Sequence, residues 1–222
     1  MLKNGIKGLF FSDLIRYASL TKKIAYIGVT TALMIVTNML LEFKMADIQF
    51  SITILMSFLS GVLLGSVFGF VCCMLGDAIG FLINSGGFIY MPWVGLSMGF
   101  VAFFAGLIIN GFDFKFKGQL YLKIAITCII TFIVCSIFIN STGFYYYNLK
   151  LGFSTAVIEY VASKFGGTVT YWGYVAYRMI FKGQIYNSIF NYALCFAFVP
   201  IIKKLKFFNP EKPQKENEKE QI

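Results

Sequence analysis

Long uncharged apolar runs alternate with short charged breaks, and the length of each run sets the expected fold. A helix needs about 20 apolar residues to cross the bilayer core. Residues 24–41 follow Lys22-Lys23, are closed by Glu42 and Lys44, and predict a first span. Residues 48–83 carry a single charge, Asp77, and are too long for one helix. The series Gly61, Gly65, Gly69 places a reversal near Leu64-Gly65-Ser66, giving spans two and three, with Ser85-Gly86-Gly87 closing the third. Pro92 suits the first turn of a fourth span, which runs to Ile109 and stops at Asn110-Gly111. A charged loop marked by Asp113, Lys115, Lys117 and Lys123 leads to a fifth span over 120–139, ended by Asn140-Ser141-Thr142-Gly143. Residues 144–177 read as a long aromatic connection: in part an interfacial belt, and long enough to line or cover a site. The sixth span covers 178–200 and ends in Lys203-Lys204-Lys206. The expected fold is all-α, a polytopic membrane protein with six transmembrane helices over residues 1–208. Residues 209–222 follow as a disordered, charged cytoplasmic tail without hydrophobic periodicity.

Composition agrees with the pattern. Of the 222 residues, 58% are hydrophobic and 13% charged, too few polar groups to cover a soluble surface. The net charge of +9 sits mainly at the ends of apolar segments, so it reads as topology and not as a nucleic-acid face. Lys3, Lys7, Arg16, Lys22 and Lys23, the loop after span four and the C-terminal lysines fall on one side of a six-span chain. The positive-inside rule puts that side, with both termini, in the cytoplasm, and the aromatic connection outside. Leu9-Phe10-Phe11, interrupted by Asp13 and Arg16, reads as an amphipathic segment at the membrane surface rather than a cleaved signal.

The absence of histidine removes imidazole acid-base chemistry and imidazole metal ligands. Cys72, Cys73, Cys128, Cys135 and Cys195 all lie in apolar segments without zinc or redox spacing and read as packing residues. No metal, cofactor or catalytic residue is expected. With no nucleotide-binding loop, any use of ATP falls to a partner.

Candidate chemistry centres on Asp77, since a carboxylate at membrane depth costs a few kcal/mol and is usually buried against protein or water. With Gly76 and Gly80 beside it, it either acts on a ligand or holds the turn between spans three and four, and the structural role is favoured. Asn84, Tyr90, Trp93 and Ser97 surround the outer end of spans three and four, as belt residues or as the walls of a ligand pocket. Arg178 follows Tyr171-Trp172-Gly173-Tyr174, either snorkelling or pairing with a ligand carboxylate while Trp172 and its neighbours stack. Gln184, Asn187 and Asn191 share a helix and either bond a neighbouring helix or face a polar cavity, the cavity being slightly favoured. Gly28 and Ala32, four apart on the first span, let another helix approach closely.

With these residues in place the chain resembles the substrate-binding S components of energy-coupling factor vitamin transporters, most closely the folate-type branch. The resemblance rests on Gly76-Asp77-x-x-Gly80-Phe81-Leu82-Ile83-Asn84, the glycine-rich hairpin before it, and the stretch from Trp172 to Arg178. Met91-Pro92-Trp93-Val94-Gly95-Leu96-Ser97 departs from the family's Pro-Gly-Phe-Thr-Leu-Ser-like segment, and Tyr177 stands where a proline is usual. The resemblance implies vitamin capture at the outer face, with folate or a related compound as substrate. Pantothenate, a queuosine precursor or another small metabolite are alternatives, and a stand-alone secondary carrier is a further one. It also implies a membrane coupling subunit and two cytoplasmic ATPases as partners, with Gly28 and Ala32 as the docking face. The loops near Asp47 and over 85–91 would gate the pocket.

Overall fold

A computed structural model describes residues 5–40, 42–45, 48–84, 89–114 and 116–205. The expected disordered tail, Asp47 and most of the expected gating loop before Met91 lie outside the described residues. The described chain is almost wholly helical.

Two short N-terminal helices, α1 (Gly5–Phe10) and α2 (Asp13–Tyr17), precede α3 (Leu20–Leu40). An antiparallel hairpin follows, β1 (Glu42–Met45) with β2 (Ile48–Ser51), in which Phe43 pairs with Phe50 and Met45 with Ile48. The expected run from residue 48 therefore begins as strand, and the helix α4 covers only Thr53–Leu64. The reversal falls where the glycines place it. Gly65, at φ +90°, joins α4 to α5 (Ser66–Ile83), and a Cβ there would lie 2.6 Å from the Ser12 amide nitrogen. Pro92 opens α6 (Pro92–Gly111), as the sequence predicts.

The second half departs further from expectation. The fifth span does not stop at Asn140. α7 (Gln119–Thr131) continues through a π-helical stretch, Phe132–Asn140, into α8 (Ser141–Leu151) without a break. At 33 residues it is about 50 Å long and projects well beyond a hydrocarbon core of about 30 Å. The expected aromatic connection is itself helical: after α8 come α9 (Thr155–Phe165) and α10 (Tyr171–Ala176), the latter running into a second π-helical stretch, Tyr177–Phe181. Gly183, at φ +69°, separates this from α11 (Gln184–Lys204). The sixth span thus starts at Gln184 and not at Arg178.

Among the described residues, five helices are long and apolar enough to cross a membrane: α3, α5, α6, the α7–α8 rod and α11. α4 is apolar but its 12 residues give only about 18 Å, so the six expected spans become five full-length helices and one short one. The main core joins α4, α6, the α7 rod and α11 through Phe58, Val62, Val101, Ala105, Ile124, Cys135, Cys195 and Val199. All five cysteines are buried and free. A second, smaller cluster of Val157, Val161, Tyr174 and Tyr177 holds α9 and α10 together. Leu20, Ile24, Val29, Leu33 and Val36 of α3 are exposed, the surface of a helix meant for lipid or a partner.

α1 and α2 pack on protein and not merely at an interface. Ser12 Oγ donates to the Leu63 carbonyl (2.5 Å), the Ser12 amide to that of Leu64 (3.5 Å), and Ser66 Oγ to that of Leu9 (3.0 Å). At the same end Lys203 Nζ donates to Asn110 Oδ1 (2.6 Å). Lys123, expected in a loop, is a buried residue of α7 whose ammonium bonds the carbonyl of Phe112 at the end of α6. The three basic segments therefore gather at one end of the bundle, with the hairpin and the α5–α6 connection at the other.

Candidate ligand-binding site

Asp77 lies on the buried face of α5 because Gly76 and Gly80, on the same face, let α3 come close. A Cβ on Gly76 would stand 2.5 Å from Met34 Cβ, and one on Gly80 3.4 Å from Asn38 Cβ. The carboxylate accepts hydrogen bonds from Asn38 Nδ2 (3.0 Å), from the Tyr90 hydroxyl (3.1 Å) and from the Gly95 amide. Gly95 is in the first turn of α6, where backbone N–H groups have no partner within the helix. Asp77 thus supplies an anion to that helix N-terminus and ties together α3, α5, the α5–α6 connection and α6. Burial, and next the Asp77 carboxylate, push the Tyr90 phenol up to about 12, so Tyr90 stays an O–H donor at neutral pH.

Beside this junction is a cavity of about 410 Å³, lined by Asp77, Phe81, Asn84, Ile89, Tyr90, Met91, Val94 and Phe144. Three aromatic rings and three aliphatic side chains form its walls, with Asp77 and Asn84 as polar points. Asn84 gains its position as the C-cap of α5, its amide bonded to the Gly80 carbonyl (3.0 Å).

Phe144 connects the cavity to a second group of residues. The Trp93 ring meets it edge-on at 5.8 Å and also meets Tyr147 at 5.8 Å. Trp93 lies against Gly143, which leaves no room there for a Cβ. The Arg178 guanidinium sits 4.2 Å above the Phe144 ring centre. Trp93 Nε1, Asn140 Oδ1 and Arg178 Nη1 are each buried without a hydrogen-bond partner.

The structure brings Asp77, Asn84 and Tyr90 to the cavity, and Trp93 and Arg178 to the adjoining cluster. Others go elsewhere. Ser97 is buried and donates to the Cys135 carbonyl (3.2 Å), joining α6 to the π-helical stretch. Asn187 and Asn191 do not line this cavity. Asn187 Oδ1 accepts from the Ser51 amide (3.0 Å), Asn191 Oδ1 accepts from the Leu55 amide (3.0 Å), and Asn191 Nδ2 donates to the Ser51 carbonyl (2.7 Å). They cap the start of α4 and bind β2 to α11, because a 12-residue helix flanked by strand leaves orphan amides at its buried end. Gln184 only opens α11, apart from the cavity, and Trp172 is 63% exposed, its ring against Tyr171.

Asn38, Phe81 and Phe144 also belong to the junction and the cavity, though the sequence positions of Phe81 and Phe144 do not single them out as site residues. Asn38 carried a signal, as the only amide side chain in an otherwise apolar first span. Among the described residues no group of three His, Cys, Asp or Glu could hold a metal ion.

Residues 19–178 match a family model described as the ECF-type riboflavin transporter, S component. No curated protein matches the chain. The match reaches from the start of α3 to Arg178 and includes the whole Asp77 junction and the cavity. Its description names riboflavin, where the sequence motifs pointed to the folate-type branch. The chain belongs to the ECF-type riboflavin transporter S component family, and is accordingly a membrane-embedded, substrate-specific transporter subunit rather than an enzyme.

Proposed function

We propose that this subunit captures riboflavin in the cavity between Asp77 and Phe144 and delivers it through a coupling subunit and two ATPases. The observation that carries this reading is the aromatic wall of Phe81, Tyr90 and Phe144 around about 410 Å³. A flat heterocycle stacks on such rings, and the volume is that of a small-molecule site. The family's description supports riboflavin over folate. The Gly76-Asp77 motif that suggested folate does not favour it, since Asp77 is engaged with Asn38, Tyr90 and Gly95. Pantothenate has no ring to match these walls.

Both termini are cytoplasmic on this reading, and the cavity opens outside. Gly28 and Ala32 form the docking face for the coupling subunit. Both are exposed on α3, and a Cβ on Gly28 would meet nothing within 4 Å.

Titrating riboflavin into the purified protein in detergent, without ATP, tests the reading through quenching of flavin fluorescence. Saturable one-to-one binding that folate does not displace is the expected result. Displacement by folate at lower concentration than riboflavin would return the assignment to the folate branch. Accumulation of riboflavin in vesicles holding this chain alone would make it a self-sufficient carrier.

A further inference from the structure

We infer that Trp93, Asn140 and Arg178 form a polar floor that reads the pyrimidine edge of the flavin ring system, an inference that rests on riboflavin as the ligand. The three buried atoms without partners in this part of the molecule are not scattered. Trp93 and Arg178 both pack on Phe144, and Asn140 precedes Phe144 by one helical turn on the same rod. Burying an indole N–H, an amide oxygen and a guanidinium N–H unpaired is costly, which makes a missing partner the economical explanation.

Their chemistry specifies that partner. Trp93 Nε1 and Arg178 Nη1 can only donate, and Asn140 Oδ1 accepts. The pyrimidine edge of an isoalloxazine presents C4=O, N3–H and C2=O, two acceptors about one donor, and so satisfies all three atoms. A pterin presents one carbonyl, an N3–H and an amino group on the corresponding edge. That would set a donor against one of the two obligate donors. The same three atoms thus separate a flavin from a folate without a new contact.

Phe144 stands between the cavity and this floor, lining the first and covering the guanidinium of the second. The flavin ring system then lies at this boundary, its face on the aromatic wall and its polar edge toward the three atoms.

Binding of riboflavin and N3-methylriboflavin to the purified full chain, read by fluorescence quenching, tests the assignment. The methyl group removes the donor that Asn140 needs, so the wild type should bind N3-methylriboflavin about ten- to a hundredfold more weakly. Asn140→Ala should weaken riboflavin and bring the two ligands within about threefold of each other, since the acceptor is gone and the methyl has room. Equal affinities in the wild type, with riboflavin bound tightly, would overturn the edge assignment and leave riboflavin as the substrate. Undiminished discrimination in Asn140→Ala would reduce the methyl effect to a clash elsewhere and also overturn it. Riboflavin 5′-phosphate binding more tightly than riboflavin would give Arg178 to an anion instead. No riboflavin binding at all removes the substrate reading and this inference together. Should Asn140→Ala fail to fold, the wild-type comparison of the two ligands decides alone.

Discussion

Asp77 shows how a single membrane-embedded charge can be accounted for without assigning it to transport. Asn38, Tyr90 and Gly95 all approach it as donors from other parts of the fold, and one of them, the Gly95 amide, belongs to a helix N-terminus that needs an acceptor. Asp77→Asn puts an NH₂ where an oxygen accepted, so at least one of those donors faces another donor. The expected cost is about 1–3 kcal/mol of stability. In detergent this should appear as a lower unfolding temperature and a lower folded yield, with a smaller change in riboflavin affinity. Gly95→Ala should reproduce the defect from the other side, because a Cβ there would lie 2.6 Å from Asp77 Oδ2. A stable Asp77→Asn protein that has selectively lost binding would instead make the carboxylate a ligand contact.

Among the elements, those whose boundaries depend on local signals were legible in the sequence. Gly65 turns α4 into α5 because only glycine sits easily at φ +90° against the backbone of Phe10 and Ser12, and Pro92 opens α6 because its missing N–H costs nothing there. What escaped depends on contacts distant in sequence. Asn140-Ser141-Thr142-Gly143 looks like a helix stop, yet the helix passes through it. Ser141 Oγ bonds back to the Ser136 carbonyl (2.8 Å) within the π-wound segment, and Gly143 is needed for the Trp93 ring rather than for a turn. The wider winding over Phe132–Asn140 also shifts which side chains face inward, so periodicity could not place Phe144 at the cavity. Asn187 and Asn191 had the spacing of a cavity lining, but their partners are backbone groups of Ser51 and Leu55, over 130 residues earlier. Asn191→Leu should therefore leave the Leu55 amide and the Ser51 carbonyl without partners. We expect a loss of about 2–3 kcal/mol and faster amide hydrogen exchange confined to β2 and the first turn of α4. Unchanged exchange there, with riboflavin binding lost, would restore the cavity reading.

For the whole molecule, the arrangement separates two ends and one side. The basic segments gather where Lys123, Lys203 and the N-terminal helices meet the α4–α5 turn and the end of α6, while the cavity lies at the opposite end between α5, α6 and α8. α3 packs on α5 through Met34 and Asn38 and leaves its other face open, where Gly28 and Ala32 interrupt larger exposed side chains. None of the residues lining the cavity belongs to α3, so on the proposed docking by that face binding and coupling are separable. Gly28→Leu fills open space and should change stability by no more than about 0.5 kcal/mol and leave riboflavin affinity within about twofold. In vesicles containing the coupling subunit and both ATPases, the same variant should lose ATP-driven uptake, because a leucine holds two helix backbones apart where glycine lets them close. Copurification of the coupling subunit with the wild type but not the variant would place the loss at docking. Normal uptake by Gly28→Leu, and by Gly28→Leu combined with Ala32→Leu, would move the docking surface off α3 altogether.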